Sequence, residues 1–308
     1  MTINTLEYAS LFQQELDKQV VANAVTGFME GNASLVSYSG GKTVKVPKLS
    51  MDGLGDYDRD NGFKKGAATL AFESFVMGQD RATSFSLDAQ DVNETNFVAT
   101  ASNLMGEFQR TKVIPEVDAF RISKIATLAM AKGGNCAVGG YTPGVADILT
   151  KIRADIASVQ DVIGVGTPLL VMLSIATQNI LENSTEITKQ LQVGTMTTGA
   201  HIDLEVVMLD TCPLIEVPSA LMKTAFVFAD GTTTFGFTPA GTAKNINWII
   251  MAQNTAIAVC KTDNMRIFDP ETNQDANAWK LDYRKYHDLF IMDNKYATLK
   301  VNIKEALV

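Results

Sequence analysis

Several stretches of this chain carry residue types that could do chemistry. Ser39-Gly-Gly-Lys42-Thr43 has the closing order of a phosphate-binding loop, in which backbone N–H groups and a lysine hold phosphate oxygens just ahead of a helix. The first glycine of that motif would have to stand where the chain has Val36, and strand-like alternation follows instead of a helical pattern. Asp56, Asp58 and Asp60 have the one-three-five order of a calcium loop. Its glycine comes one place late, at Gly62, and Ala67 stands where a bidentate glutamate is needed. His201 and His287 lie near no nucleophile motif, and neither G-x-S-x-G nor H-E-x-x-H occurs. Cys136, Cys212 and Cys260 are odd in number and widely spaced, which signals neither a disulfide framework nor a zinc site. They read as small buried hydrophobes in a reducing compartment. No catalytic, cofactor-binding or metal-binding residue is expected.

The composition sets the wider limits. Among 308 residues, 46% are hydrophobic and 19% charged, an ordinary globular balance with length enough for a sizeable core. A net charge of −8 without any basic cluster argues against tight nucleic-acid binding, which works by releasing counterions from phosphates. The opening Met1-Thr-Ile-Asn-Thr-Leu-Glu7 lacks the basic and apolar regions of a signal peptide, and no apolar run reaches membrane-spanning length. A soluble intracellular product is expected.

The periodicities then place the elements. Leu11, Phe12, Leu16, Val20, Val21, Ala24, Val25 and Phe28 recur at helical spacing, and Gly31-Asn32 should end that helix. From Ser37 to Asp88 the period is that of strands. Val44 and Val46 alternate before Pro47, and Leu70, Phe72, then Phe85, Leu87 repeat the alternation on the return. Between them Asp52 to Gly66 is rich in glycine and charge, so a long β-hairpin with a solvated tip is expected. Phe97, Ala101, Leu104, Met105 and Phe108 share a helical face, capped by Asp88 or Asp91, and helical pattern resumes at Val117 through Ile125 and Leu128. Pro115 should kink or divide this helix. Gly133 to Gly144 reads as a connector. It is followed by a helix (Val145, Ile148, Leu149, Ile152, Ile156), a strand at Leu169–Leu173 and a short helix through Ile180. Further strands are predicted at Ile202–Leu209, Ala225–Phe228 and Trp248–Met251, giving a mixed α/β pattern. Leu281 and Tyr283, then Leu289 and Ile291, alternate beyond the turn marked by Asp269-Pro270.

Two blocks carry a resemblance. Trp248-Ile-Ile-Met251, Arg266-Ile-Phe-Asp-Pro270 and Trp279-Lys-Leu-Asp-Tyr-Arg-Lys-Tyr-His-Asp-Leu-Phe-Ile-Met292 resemble, in order, the closing segment of tailed-bacteriophage major capsid proteins. Gly78-Gln-Asp-Arg81 through Phe85 and Asp88 to Ile114-Pro-Glu-Val-Asp118-Ala-Phe-Arg121 resembles the middle of the same family. The resemblance implies an α+β subunit of the Hong Kong 97-type capsid fold. On it, residues 1–35 are an N-terminal arm, 36–88 an extended β-hairpin loop, and 89–134 a spine helix with the first part of a peripheral domain. Residues 135–262 are an axial domain and 263–308 the closing strands of the peripheral domain.

That family's function would follow: a structural protein, not an enzyme, self-assembling as pentamers and hexamers of an icosahedral shell that encloses phage double-stranded DNA without tight binding. Implied partners are other copies of itself, a portal protein and separate scaffolding or decoration proteins, with no membrane, in a virion capsid assembled in the host cell cytoplasm. Candidate inter-subunit contacts are Phe12 and Leu16 on the arm and Asp56, Tyr57, Asp58, Arg59, Lys64 and Lys65 on the loop. His287 should pack and hydrogen-bond. One relative welds its subunits through an extended-loop lysine and a neighbour's asparagine. No motif aligns Lys64 or Lys65 with Asn273 or Asn277 for that bond, so no catalytic residue carries over. Some relatives carry a cleaved N-terminal scaffolding segment; here the arm begins almost at Met1, so that segment is expected to be absent or removed. Two alternatives stay open: an encapsulin-type nanocompartment shell, and a cytosolic α/β enzyme, against which the lack of any complete motif counts.

Overall fold

The computed structural model describes residues 24–38, 41–57, 59–60, 62–88, 104–184, 192–198, 202–209, 211–274 and 276–307. In chain order the strands are β1 (Ser37–Tyr38), β2 (Thr43–Met51), β3 (Ala68–Val76), β4 (Gln79–Asp88), β5 (Ala137–Gly139), β6 (Leu169–Ser174), β7 (Gln192–Thr198) and β8 (Ile202–Leu209). Then follow β9 (Cys212–Val217), β10 (Phe226–Phe228), β11 (Phe237–Pro239), β12 (Ile246–Ala252), β13 (Ala256–Phe268), β14 (Ala278–Ile291) and β15 (Leu299–Ile303). The helices are α1 (Ile114–Lys132), α2 (Ile148–Ile163) and α3 (Ile175–Glu182).

A seven-stranded mixed sheet, in the order β5-β15-β12-β6-β9-β8-β7, lies between helices. Strands covered on both faces need apolar residues at every position, and β6 and β12 are buried throughout. Their alternation divides the core. Leu170, Met172, Ile249 and Met251 pack with Ile122, Ile125 and Ala129 of α1. Leu169, Val171, Leu173 and Trp248 pack with Ile148, Ile152 and Ile156 of α2. α2 stops at Gly164, whose φ of +83° suits glycine, and α3 opens on Ser174, whose hydroxyl accepts the Thr177 N–H at 3.2 Å.

A second sheet, β13-β14-β4, covers another side of α1. Leu289 and Ile291 join the core that α1 shares with the large sheet, and Leu281 and Tyr283 pack with Met105, Val113 and Val117. α1 is therefore enclosed by two sheets, which explains why eleven of its residues are buried.

The structure corrects the sequence reading in several places. Gly31-Asn32 does not end a helix: it lies inside a 3-10 segment, Gly27–Leu35, where the Asn32 amide donates to the carbonyls of Gln253 and Ala256. Pro115 does not stand in the interior of a regular helix: a π segment separates the helical residues 104–108 from α1. It sits in the first turn of α1, behind a π-turn (Gln109–Val113) in which the Ile114 N–H reaches the Gln109 carbonyl, five residues back. Widening the ladder there accommodates a ring that a regular turn would exclude. The connector Gly133 to Gly144 contains β5, which pairs in parallel with β15. Val145 lies in the turn before α2 and is 47% exposed. Cys212 is buried as expected, but Cys136 and Cys260 are only partly so. The hairpin ends at Val76; after Met77-Gly78 the chain leaves it, and β4 pairs with β14 from His287↔Gln79 to Ala278↔Asp88.

Candidate functional site

The paired strands β2 and β3 form a ribbon whose register decides what it offers to a partner. Residues directly opposite in an antiparallel pair point to the same side. Val44 faces Phe75 and Val46 faces Glu73 on one side. There Val44 and Val46 are buried with Met77, Ile257 and Phe290, which fixes the root to the body. Pro47 faces Phe72, Leu49 faces Leu70 and Met51 faces Ala68 on the other side. That side meets water: Leu49 is 59% exposed, Leu70 60% and Phe72 56%. The apolar positions thus change side at Pro47. Leu70 and Phe72 do not share the side of Val44 and Val46, as a single hairpin alternation would have them.

Ion pairs hold the ribbon beyond its root. Lys48 bonds Glu73 across the strands at 3.0 Å, Asp293 donates its N–H to Glu73, and Lys132 of α1 reaches Asp293 at 3.5 Å. At the far end the Asp52 carboxylate accepts the Ala67 N–H at 2.8 Å and closes the tip. Asp56, Tyr57, Arg59, Lys64 and Lys65 are all exposed there, while Asp58, Phe12, Leu16 and His201 lie outside the described residues. The tip is less polar than its composition suggested. Leu54 is fully exposed, and Phe63, 90% exposed, meets Tyr57 edge-on with ring centroids 5.2 Å apart. Leu49, Met51, Leu54 and Phe63 are contact candidates that the sequence reading passed over. The readable signal was the change of parity from Val44 and Val46 to Leu49 and Met51.

The residues that carried the sequence resemblance meet behind the ribbon. Arg81 bonds Glu116 of α1 at 2.6 Å and donates to the carbonyls of Ala229 and Gly236, which tethers the β10–β11 hairpin. Gly78 donates its N–H to Asp288 at 2.8 Å, and Lys124 approaches the same carboxylate at 3.6 Å. Asp118 accepts the N–H groups of Val25 and Thr26, while Arg121 donates to Thr26 and Glu30, so α1 holds the stretch from Val25 to Glu30. His287 is buried and meets Phe120 edge-on at 5.2 Å. Burial, with Arg121, Lys285 and Arg81 nearby, holds its pKa well below the ordinary histidine value, so the ring is neutral.

The look-alike motifs meet the same test. Gly41 has φ of +58° in a turn and Thr43 begins a strand, so Lys42 precedes β2 rather than a helix N-terminus. Among the described residues no group of three or more His, Cys, Asp or Glu side chains is placed to share a metal ion. Burial pushes the Cys260 thiol up to about 11, which keeps it protonated and poorly nucleophilic. Asn273 donates its amide to the Ala278 carbonyl at 2.8 Å in the turn between β13 and β14, and Asn277 is exposed nearby.

No family model matches the sequence, and no curated protein does. Solved structures do. The capsid structure of the cyanophage P-SCSP1u matches at TM-score 0.56 with 11% identity, over 88% of this chain and 86% of that one. The mature capsid of bacteriophage PhiM1 matches at TM-score 0.55 and 10% identity, over 88% and 84%. The capsid structure of Staphylococcus phage Andhra matches at 0.51 and 11%, over 87% and 82%. The mixed α/β architecture of this chain is therefore the fold found in phage capsids. The likeness extends across most of each chain, although only about one residue in ten is shared.

Proposed function

We propose that this chain is a major capsid protein of a tailed bacteriophage, a structural protein without catalysis whose copies assemble as pentamers and hexamers of an icosahedral shell. The observation that carries the reading is the apolar side of the β2–β3 ribbon. A two-stranded ribbon is marginal alone, and Leu49, Leu70 and Phe72 on one exposed side call for a covering surface. The fold shared with the cyanophage and PhiM1 capsids supports a neighbouring copy as that surface.

On this reading residues 36–88 hold the extended loop of a Hong Kong 97-type subunit, and 1–35 the arm. Residues 89–134 make the spine helix with part of the peripheral domain, 135–262 the axial domain and 263–308 the closing strands. Phe12 and Leu16, with the tip residues Asp56 to Arg59, Lys64 and Lys65, join the ribbon side as contacts between copies. Each contact is modest, and closure of the shell makes the set hard to reverse. Double-stranded DNA fills the shell without being gripped, in keeping with a net charge of −8. A portal protein and separate scaffolding or decoration proteins complete the virion, which assembles in the host cytoplasm.

Electron microscopy of the purified full chain, alone and with residues 53–65 replaced by a short glycine-serine turn, tests the proposal. Closed shells from the intact chain and soluble, folded, unassembled subunits from the shortened one are expected. Monomers from the intact chain across the micromolar range, or normal shells from the shortened one, would refute it.

A further inference from the structure

A cavity of about 600 Å³ lies over β4 and β14, bounded above by the π-turn region and by the turn that joins β10 to β11. Phe85, Phe108 and Tyr283 line it as a series of rings set edge to face, with centroids 5.0 Å apart in the first pair and 5.9 Å in the second. Phe237 bounds another side, and Phe235 stands at the mouth with 77% of its surface in water. Two cations of the lining are engaged, Arg81 by Glu116 and Lys285 by Asp263, while Lys112 is exposed on the rim. An opening lined by aromatic rings, with an exposed phenylalanine beside it, is the kind of apolar surface that marks an interaction site. The same chain carries a matching projection. At the ribbon tip Tyr57 and Phe63 form an edge-to-face pair that meets water, with Leu54 exposed next to it in the loop. Within one chain the two features stay apart, since Phe63 remains open to solvent. On the flank that precedes Phe63, the stretch from Asp56 to Asp60 has three carboxylates and one guanidinium, opposite in sign to Lys112.

We propose that this cavity receives the ribbon tip of a second copy of the chain, with Phe63 inserted against Phe85, Phe108 and Tyr283 and with Asp56 brought to Lys112. The inference rests on the capsid reading and names the surface that the tip engages. An inserted ring adds one more edge-to-face contact to the series, a favoured aromatic arrangement. The cavity falls in the range of pockets that hold small ligands, about 300–1,000 Å³, which leaves room for an aromatic anchor. Aromatic anchors seated in pockets carry much of the energy of an interface, and charges at the rim set approach and register. Tip and cavity are different surfaces, so each copy gives one tip and takes one. Such a contact is heterologous: it closes into a ring or continues as an open chain.

Light scattering of the full chain across a dilution series tests it. Phe63→Ser, at an exposed position, should raise the concentration at which assembly begins about ten- to hundredfold, the range for losing one buried phenylalanine. Thr83→Trp, which fills the cavity from β4, should do the same; Thr111→Trp, at an exposed lining position, serves if that variant does not fold. Lys112→Glu should weaken assembly, and Asp56→Lys added to it should restore it. A chain with p-benzoylphenylalanine in place of Phe63, irradiated under assembling conditions, locates the ring. Two-chain products joined at residues 81–85, 108–117 or 235–237 are expected. Links elsewhere, to a second copy or within one chain, overturn the proposal, as does the absence of rescue by Asp56→Lys. Shells from Phe63→Ser at the wild-type threshold overturn the docking and leave the capsid reading standing, whereas monomers from the wild type overturn both.

Discussion

Replacing Leu49 and Leu70 together with serine separates assembly from folding. The two leucines are cross-strand partners on the exposed side of the ribbon, and each keeps about 60% of its surface in water in the single chain. Burying a leucine side chain fully contributes about 1.5–3 kcal/mol. Covering the exposed part of both should therefore contribute about 2–3 kcal/mol per subunit on association. Serine carries no charge, so the pair avoids like-charge repulsion across the strands. Because the positions are solvated in the free subunit, its unfolding free energy should change by no more than is typical of surface changes, about ±0.5 kcal/mol. Light scattering across a dilution series reads the concentration at which assembly begins. At about 1.4 kcal/mol per tenfold, that concentration should rise roughly thirty- to hundredfold. An unchanged threshold would show that the ribbon side is not an interface. A collapse of thermal stability in the isolated subunit would show that it is covered by its own chain.

Other outcomes follow from the same physics. Arg81→Ala strands the Glu116 carboxylate and frees the β10–β11 hairpin; a loss of about 2–4 kcal/mol is expected in denaturant unfolding, and a loss below 1 kcal/mol would refute the tether. His287 is held neutral in the fold, so below its unfolded pKa of about 6.5 only the unfolded chain takes up the proton, and stability falls as pH falls from there toward its depressed folded pKa. About 1.4 kcal/mol should be lost between pH 7.5 and 5.5, and His287→Phe should remove that component from the stability–pH curve of unassembled subunits. Phe12→Asp with Leu16→Asp should weaken association, measured by sedimentation, more than it lowers the melting temperature of free subunits; the reverse would make the arm an ordinary core helix. Unassembled subunits should not retard linear duplex DNA at physiological salt; micromolar binding with a steep salt dependence would reveal a basic surface formed on folding.

What was legible in the sequence was mostly one-dimensional. The apolar run Leu169–Leu173 read as a strand and is one, and the alternation at Leu281 and Tyr283 placed β14 correctly, because period is a local consequence of backbone geometry. Pairing is not local. Nothing near Phe85 and Leu87 distinguishes a hairpin continuation from a strand that joins β14 two hundred residues away. Pro115 was judged by its cost in a regular helix, while the π-turn that accommodates it depends on packing around Val113 and Val117. The resemblance rested on charged residues whose partners the sequence could not supply. Arg81 and Glu116 both lie in the resembling stretches, but only the fold shows that they bond each other.

The ribbon also has the mechanics of a lever. Its nine-residue strands span about 30 Å at about 3.3 Å per residue, and both leave the body within one short stretch, at Lys42 and Met77, which are joined by a backbone hydrogen bond of 2.9 Å. Val44 and Val46 are packed into the body, so the free part of the strand runs about 16 Å from Val46 to Met51, and a rotation of about 10° at Val46 would carry that end through about 3 Å. Lys48, Glu73, Asp293 and Lys132 act as a stay on one side of the pivot, made of contacts that lengthen by degrees instead of breaking at once. On the proposed reading, the body can thus present the same apolar side at a range of angles, as copies tiling a curved surface of varying local geometry would need.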